Sequence, residues 1–542
     1  MNSLKPMLLT SLKSYDRTQF VKDVTAGIIV AIIALPLSIA LALASGVGPE
    51  AGIFTAIVAG FVISALGGSS VQIAGPTAAF ATIVAGIVAK AGLDGLVIST
   101  ILAGIFLILM GLCHFGSLIK FIPYTITTGF TSGIAVTIVI GQLKDFFRVT
   151  YPDGVKPIET TEKFKAFIEN ISTMNTAALI VGIVSLAILI ISPVIFKKIP
   201  GSLIAVIVGI LMVKFLPLKV STIGNLYTIS NSLPAFHLPA VNLHIIENAL
   251  PNAFTIAVLA AIESLLSCVV ADGMINGKHR SDMELVAQGA GNIASALFGG
   301  IPATGAIART AANIKNGGRT PVAGMVHSIT LVIVLVVLMP FAGMIPMPTI
   351  AAILFIVAYN MCQWRTFVHL IRTAPKSDII VLFATFILTI LFDLVVAIEI
   401  GMVLACLLFI KRMSEETNID GWTYVDDDTP DVDAHLKKLP LQIRVYEITG
   451  PLFFGAADAI EHIVVKDFTT CLVLRMRSVP AIDSTAMNAL FNLTKVCENK
   501  GITLVFSHVN EQPMKVMEKA GFVELVGREN FCPNISAALA HA

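Results

Sequence analysis

Long apolar runs broken by short polar segments make up the chain as far as Arg412. A helix needs roughly 20 apolar residues to cross a bilayer. The runs predict about fourteen full or broken spans, near residues 24–44, 50–66, 76–91, 93–113, 120–143, 175–196, 200–217, 249–271, 284–299, 304–314, 321–341, 347–361, 378–392 and 393–410. The third and tenth are short, and each follows a flexible interruption. The first reads Gly67-Gly68-Ser69-Ser70-Val71-Gln72-Ile73-Ala74-Gly75-Pro76-Thr77, the second Gly299-Gly300-Ile301-Pro302-Ala303-Thr304-Gly305. A helix that starts inside a membrane leaves backbone N–H groups without partners and carries a partial positive charge. Two such starts meeting at the midplane make an anion site, a layout typical of secondary transporters. The interruptions lie seven spans apart, and an odd number of spans per half reverses the orientation of the second half. The pattern therefore predicts an inverted repeat of seven plus seven spans. Its third span starts from the cytoplasmic side, its tenth from the outside, and the two starts face one another.

The pattern changes after Arg412. Residues 413–437 are polar and acidic, with Asp426-Asp427-Asp428, and are assigned to a linker between a transport domain at 1–412 and a small α/β domain at 438–542. In that domain Leu441, Ile443, Val445 and Tyr446 suggest an edge strand. Cys471-Leu472-Val473-Leu474 and Ile502-Thr503-Leu504-Val505-Phe506 read as buried strands. Helical stretches are expected near 456–464, 485–499 and 511–520.

Composition agrees with the pattern: 56% of residues are hydrophobic and 13% charged, and the mean hydropathy is +0.87. Soluble domains carry roughly 25% charged residues, so this is an integral membrane protein. A net charge of +1 excludes a strongly basic nucleic-acid binder. The seven cysteines are scattered with no CxxC pair, which gives neither a disulfide framework nor a zinc site. The first apolar run is too long for a signal-peptide core and lacks a cleavage site, so it stays as a span. Lys13, Arg17, Lys22, Lys197, Lys198, Lys278, Arg280, Arg319, Arg365, Arg372, Lys376, Lys411 and Arg412 all fall on one side if both termini are cytoplasmic. The expected location is a bacterial plasma (inner) membrane.

The residues that open the broken spans are the first candidates for binding an anion. They are Thr77, Ala78, Ala79 and Phe80 on one side and Ala306, Ile307, Ala308 and Arg309 on the other. Backbone N–H groups and the Thr77 hydroxyl supply donors, and the Arg309 guanidinium, one turn into the tenth span, reinforces the positive field. Glu263 lies in the middle of the eighth span, where a carboxylate is costly and marks function by default. Ser267 is one turn further on the same helical face. With Thr304 these form the candidate site for a coupling Na⁺ or H⁺; no other cofactor and no resident metal is expected. Moving one charge through 100 mV is worth about 2.3 kcal/mol, so inward transfer of a bare dianion against a negative interior costs roughly 4.6 kcal/mol per 100 mV. Uptake therefore needs cotransported cations or an exchanged anion. Glu399 and Asp393, near span ends, read as solvated or packing acids.

Several of these segments resemble the sulfate permease (SulP) family of anion transporters. The first span, from Asp23-Val24-Thr25-Ala26-Gly27 to Ile33-Ala34-Leu35-Pro36, resembles the family's opening motif. Gly75-Pro76-Thr77-Ala78-Ala79-Phe80, Ala261-Ile262-Glu263-Ser264-Leu265-Leu266-Ser267 and Pro302 to Asn313 resemble its third, eighth and tenth spans. The soluble tail resembles the STAS domain. The resemblance implies a membrane fold of core and gate parts, an elevator-like movement, a homodimer, and a coupling acid at Glu263. Within the family, the segments 281–289, 306–309 and 450–454 are similar to the bacterial C4-dicarboxylate transporter (DauA) type. Leu37 and Leu41 stand where some relatives carry a glutamine and an aromatic residue. Asp483 and Ser484 stand where relatives of the tail carry a phosphorylated serine at a helix start, which makes them regulatory candidates for an unknown protein partner. An Asp or Ser N-cap is the plainer reading of the pair. The function expected is cation-coupled uptake of a C4-dicarboxylate or an inorganic anion such as sulfate. Bicarbonate transport, anion exchange, a channel and a membrane-anchored regulator are the alternatives. No nucleotide loop or nucleophile–base set points to an enzyme.

Overall fold

The computed structural model describes residues 4–117, 123–152, 157–195, 200–216, 219–239, 243–392, 394–421, 442–455, 460, 463 and 468–542. The chain divides into two compact units, Met1–Met402 and Val403–Ala542.

In the first unit a short helix, α1 (Met7–Ser11), precedes α2 (Arg17–Ala44) and α3 (Pro49–Leu66). A two-residue strand, β1 (Ala74–Gly75), leads into α4 (Ala78–Leu112). Then come α5 (Tyr124–Phe147), α6 (Thr160–Glu169), α7 (Thr176–Ile195), α8 (Gly201–Phe215) and a single turn, α9 (Ile223–Leu226). The second half holds α10 (Leu243–Ile275), α11 (Ser281–Leu297), β2 (Thr304–Gly305), α12 (Ile307–Lys315), α13 (Val322–Ala342), α14 (Met347–Cys362), α15 (Trp364–Thr373) and α16 (Lys376–Leu391); α17 (Leu394–Glu415) begins in this unit and ends in the second. Among the described residues, eight helical runs are long and apolar enough to cross a membrane by themselves.

Each expected span has its helix. The third and fourth share α4, which breaks at Gly92, where φ is +69° and ψ −169°. Glycine tolerates that backbone, which a β-carbon disfavours. The tenth span is the short α12. Two amphipathic helices, α6 and α15, were not anticipated, because neither contains a run of about 20 apolar residues.

The helices sort into two packed groups. In one, α4 lies against α10 and α11, α13 against α2 and α3, and α12 between α2 and α10. In the other, α14 and α16 pack on α5, α7 on α14, and α8 on α7. Small residues let backbones approach closely within a membrane. Gly104 of α4 and Gly289 of α11 face each other so tightly that a β-carbon on either would lie 2.6 or 2.4 Å from the other's carbonyl oxygen.

The second unit is a five-stranded sheet in the order β3 (Asn418–Gly421), β4 (Ile443–Thr449), β5 (Cys471–Ser478), β6 (Thr503–Ser507) and β7 (Phe531–Cys532). From β4 to β7 the strands run parallel, with Val445, Val473 and Val505 in register. One face packs Leu472, Leu474 and Phe506 against the helices Ser484–Asn499, Glu511–Lys519 and Phe522–Val526; the other packs the valines against Ile535–His541. Two expectations change. β3 arises within the stretch assigned to a linker and pairs antiparallel with β4, so β4 is an inner strand rather than an edge. The short apolar alternation around Ile419 was hidden by the acidic residues that follow. Of the helix expected near 456–464, only Ile460 and Ile463 belong to the described residues, and both are buried. Asp393 lies outside them; Glu399 is exposed on α17.

Candidate functional site

The two interruptions are held by buried polar side chains of the helices around them. Glu284, fully buried on α11, accepts five hydrogen bonds, and among the described residues no cation is paired with it. One oxygen takes the backbone N–H groups of Gly68 and Ser69 at 2.9 and 3.2 Å. The other takes Gln72 Nε2 at 2.7 Å, Ser264 Oγ at 3.1 Å and Gln288 Nε2 at 2.9 Å. A carboxylate with this many donors stays satisfied without a counter-ion. The second interruption is held from the same helix. Asn292 donates to the Ala303 carbonyl at 2.9 Å and accepts from the Ala303 N–H at 2.8 Å. Ser295 donates to the Ile301 carbonyl, and the Ile301 N–H donates to Thr55 Oγ1 at 2.7 Å.

Held in this way, the interruptions pair with each other. β1 and β2 run antiparallel, Ala74 opposite Gly305 and Gly75 opposite Thr304. Ala306 N–H donates to the Ile73 carbonyl, and Ile73 N–H donates to Thr310 Oγ1. Antiparallel strands leave their ladder at opposite ends, so α4 and α12 depart in opposite directions and their starts face each other across the ladder. Neither start has a side-chain cap; Phe80 N–H donates to the Thr77 carbonyl at 3.3 Å, and among the described residues the N–H groups of Ala78, Ala79, Ile307 and Ala308 have no partner and are free to receive negative charge.

Around these starts the candidate residues fall in three places. Thr77 Oγ1 donates to Glu263 Oε2 at 3.0 Å, so the opening of α4 and the mid-span acid of α10 are in direct contact. Thr304 Oγ1 donates to the Ala260 carbonyl at 2.9 Å, one turn before Glu263. Ser267 is buried one turn after Glu263, its hydroxyl without a partner among the described residues. Ala78, Ala79 and Phe80 are buried, whereas Ala306 is half-buried and Ile307 and Ala308 are exposed, so open space meets the site at the start of α12. Arg309 turns to the back of the ladder. Its Nη2 donates to Ser38 Oγ at 3.2 Å and the Pro76 carbonyl at 3.3 Å, and a β-carbon on Gly75 would lie 2.2 Å from Nη1. Nε and Nη1 are buried without partners among the described residues.

The tail candidates belong to the other unit. Asp483 is the N-cap of Ser484–Asn499, accepting from Ala486 N–H at 2.9 Å, and it also accepts from Phe454 N–H at 2.8 Å. Ser484 is exposed at the first helical position.

Sequence reasoning did not single out Glu284, Gln72, Asn292 or His327. Glu284 stands at the start of an apolar span, where an acid reads as a routine complement to the helix dipole. His327, on α13, is fully buried with both ring nitrogens unpartnered among the described residues, and its neighbour Ser328 donates to the Ala56 carbonyl. A polar residue inside an apolar span was the available signal.

The chain matches the Sulfate permease family over residues 20–385 and the STAS domain over residues 437–538. It is 39% identical over 530 residues to YvdB of Bacillus subtilis, provisionally named a sulfate transporter, covering 96% of this chain and 97% of that protein. To the bicarbonate transporter BicA of Picosynechococcus it is 32% identical over 488 residues, covering 87% and 85%. Among solved structures, the murine anion transporter Slc26a9 superposes with a TM-score of 0.88 at 19% identity, covering 99% of this chain and 94% of that one, which speaks for the fold alone. The transmembrane domain of a cyanobacterial BicA superposes with a TM-score of 0.63 at 28% identity, covering 72% and 98%.

Proposed function

This chain belongs to the sulfate permease family, is a multi-pass membrane transporter of anions and ends in a STAS domain, and on that premise we propose that it drives anion uptake with a cation held at Glu263. The observation that carries the reading is the hydrogen bond from Thr77 to Glu263, which ties the two sites together. The anion sits between the starts of α4 and α12, on the N–H groups of Ala78, Ala79, Ile307 and Ala308 and the Thr77 hydroxyl, with Phe80 beside it. Arg309 adds positive potential from behind the ladder. With Glu263 ionised and empty, a carboxylate faces the incoming anion and repels it. Na⁺ or H⁺ at Glu263, with Ser267 and Thr304 as neighbouring oxygens, removes that charge and frees Thr77 to donate to the anion. Each ligand then raises the affinity for the other by the same factor.

Sulfate is the proposed substrate. It is the anion in the name of the 39% identical relative, and bicarbonate is that of the 32% identical one. The C4-dicarboxylate reading rests on the sequence motifs alone. The proposed setting is a homodimer in a bacterial plasma membrane with both termini cytoplasmic. The test is uptake of labelled sulfate into proteoliposomes under separate Na⁺ and H⁺ gradients, with bicarbonate and succinate as competitors. Accumulation driven by one gradient in the wild type, and its loss in Glu263→Gln, supports the reading. Concentrative uptake that survives in Glu263→Gln overturns it. Succinate or bicarbonate carried in place of sulfate moves the substrate and keeps the mechanism.

A further inference from the structure

Beyond the paired helix starts, the membrane unit holds a cavity of about 370 Å³ on the face that carries α6, within the usual roughly 300–1,000 Å³ of small-molecule sites. Its wall includes one side of α4, from Thr82 through Gly86 to Lys90. At a rise of 1.5 Å per residue, these residues stand about 6 to 18 Å beyond the start of α4. Asn252 of α10, Thr389 of α16 and the Glu159–Lys163 end of α6 close the remaining sides. The cavity thus lies between the two helix groups and runs along the helix whose opening touches Glu263.

The charges around it are unequal. Lys90 and Lys163 face a single lining carboxylate, Glu159. Among the described residues no acid lies within ion-pair distance of either lysine. The nearby Glu162 is held by the Ile158 and Glu159 N–H groups at the start of α6. Lys163 is half-buried; burial pulls its pKa below the ordinary lysine value, and Glu162 pushes it back up. A partly desolvated ammonium gains from an anion. Deeper in, the Thr82 hydroxyl is buried without a partner among the described residues, and a β-carbon on Gly86 would meet nothing within 4 Å. The wall is therefore open, with an unused donor on the way to the start of α4.

We propose that this cavity is a capture site for a small oxyanion, held by Lys90 and Lys163 before it passes along α4 to Thr77. The inference rests on the transport reading and names the entry on the α6 face. Two ammonium groups in a partly enclosed recess concentrate anions, and the effect weakens as salt screens it.

The first test is kinetic, in proteoliposomes of defined sidedness. In the K90Q/K163Q double variant, the KM for sulfate entering from the α6 face rises at least fivefold and loses its salt dependence. Vmax and the KM from the opposite face stay at wild-type values. Glu159→Gln lowers the α6-face KM, and Gly86→Leu, which fills the open wall, blocks entry from that face. A KM that is unchanged, or that rises equally from both faces, overturns the capture site while leaving the transport reading intact. The second test does not depend on flux. Acylation of lysines by an amine-reactive reagent is read by mass spectrometry with sulfate, or with gluconate at equal ionic strength. Sulfate protects Lys163 and Lys90 several-fold and leaves Lys165 unprotected, which lies on the same helix near Glu169. Equal reactivity in the two anions overturns the proposal even if the protein proves to carry nothing.

Discussion

Glu284 does for the site what Glu263 cannot. It accepts five hydrogen bonds from three segments and holds the first interruption in place. Glu284→Ala strands buried donors, each costing about 1–3 kcal/mol when left unsatisfied. The expected result is a loss of at least roughly 3 kcal/mol, read as a lowered unfolding midpoint in detergent. Glu284→Gln, which turns an NH₂ group toward at least one of the donors, should fall in between. Ala308→Glu puts a carboxylate at the exposed opening of α12; sulfate uptake is expected to fall below a tenth of wild type with the unfolding midpoint unchanged. The two acids were unequally legible. Glu263 stands out because apolar residues flank it on both sides. Glu284 sits where a helix start excuses an acid, and its five donors are scattered over more than two hundred positions. Spacing could not bring them together.

Among the elements, the broken spans were readable because glycine and proline interrupt apolar runs at only a few places. What could not be read is why those glycines are required. Gly75 leaves room for the Arg309 guanidinium and Gly305 for the Gln72 amide, which would lie 2.2 and 2.4 Å from an added β-carbon. Gly75→Ala and Gly305→Ala are therefore expected to separate β1 from β2 and abolish uptake. Gly86→Ala, where a β-carbon meets only open space, is expected to keep the fold and to gain up to about 1 kcal/mol in helix propensity. Parallel thermal melts of the three variants decide this. Amphipathic helices such as α6 escaped notice because half their residues are polar, and hydropathy averages the two faces away.

At the scale of the whole molecule, the change of texture after Arg412 announced a second unit, although the acidic stretch concealed the strand that completes its sheet. That unit carries buried thiols. Burial pushes the Cys471 and Cys497 pKa values up to about 11. Both therefore stay protonated near pH 7 and should alkylate slowly with iodoacetamide, while the exposed Cys113, at the end of α4, reacts readily; peptide mass spectrometry after a short pulse distinguishes them. A raised folded-state pKa gives stability that is complete below the unfolded value near 9 and is lost as pH climbs through about 11. The STAS unit should therefore weaken across that alkaline window, and Cys497→Ala should reduce the loss.

The ladder of β1 and β2 also sets the order in which the molecule can be made. Ala74 waits for a partner, Gly305, that is synthesised more than two hundred residues later. Before Glu284 is made the first interruption has no acceptor for the Gly68 and Ser69 N–H groups, and before Gly305 it has no opposite strand. A ribosome paused anywhere in that interval has delivered half a site into the membrane, with polar backbone exposed where lipid cannot satisfy it. The part on which transport depends thus stays incomplete until more than half of the chain has been made. Nascent chains halted before Gly305 should be far more open to proteases and more dependent on insertion machinery than their hydropathy alone suggests.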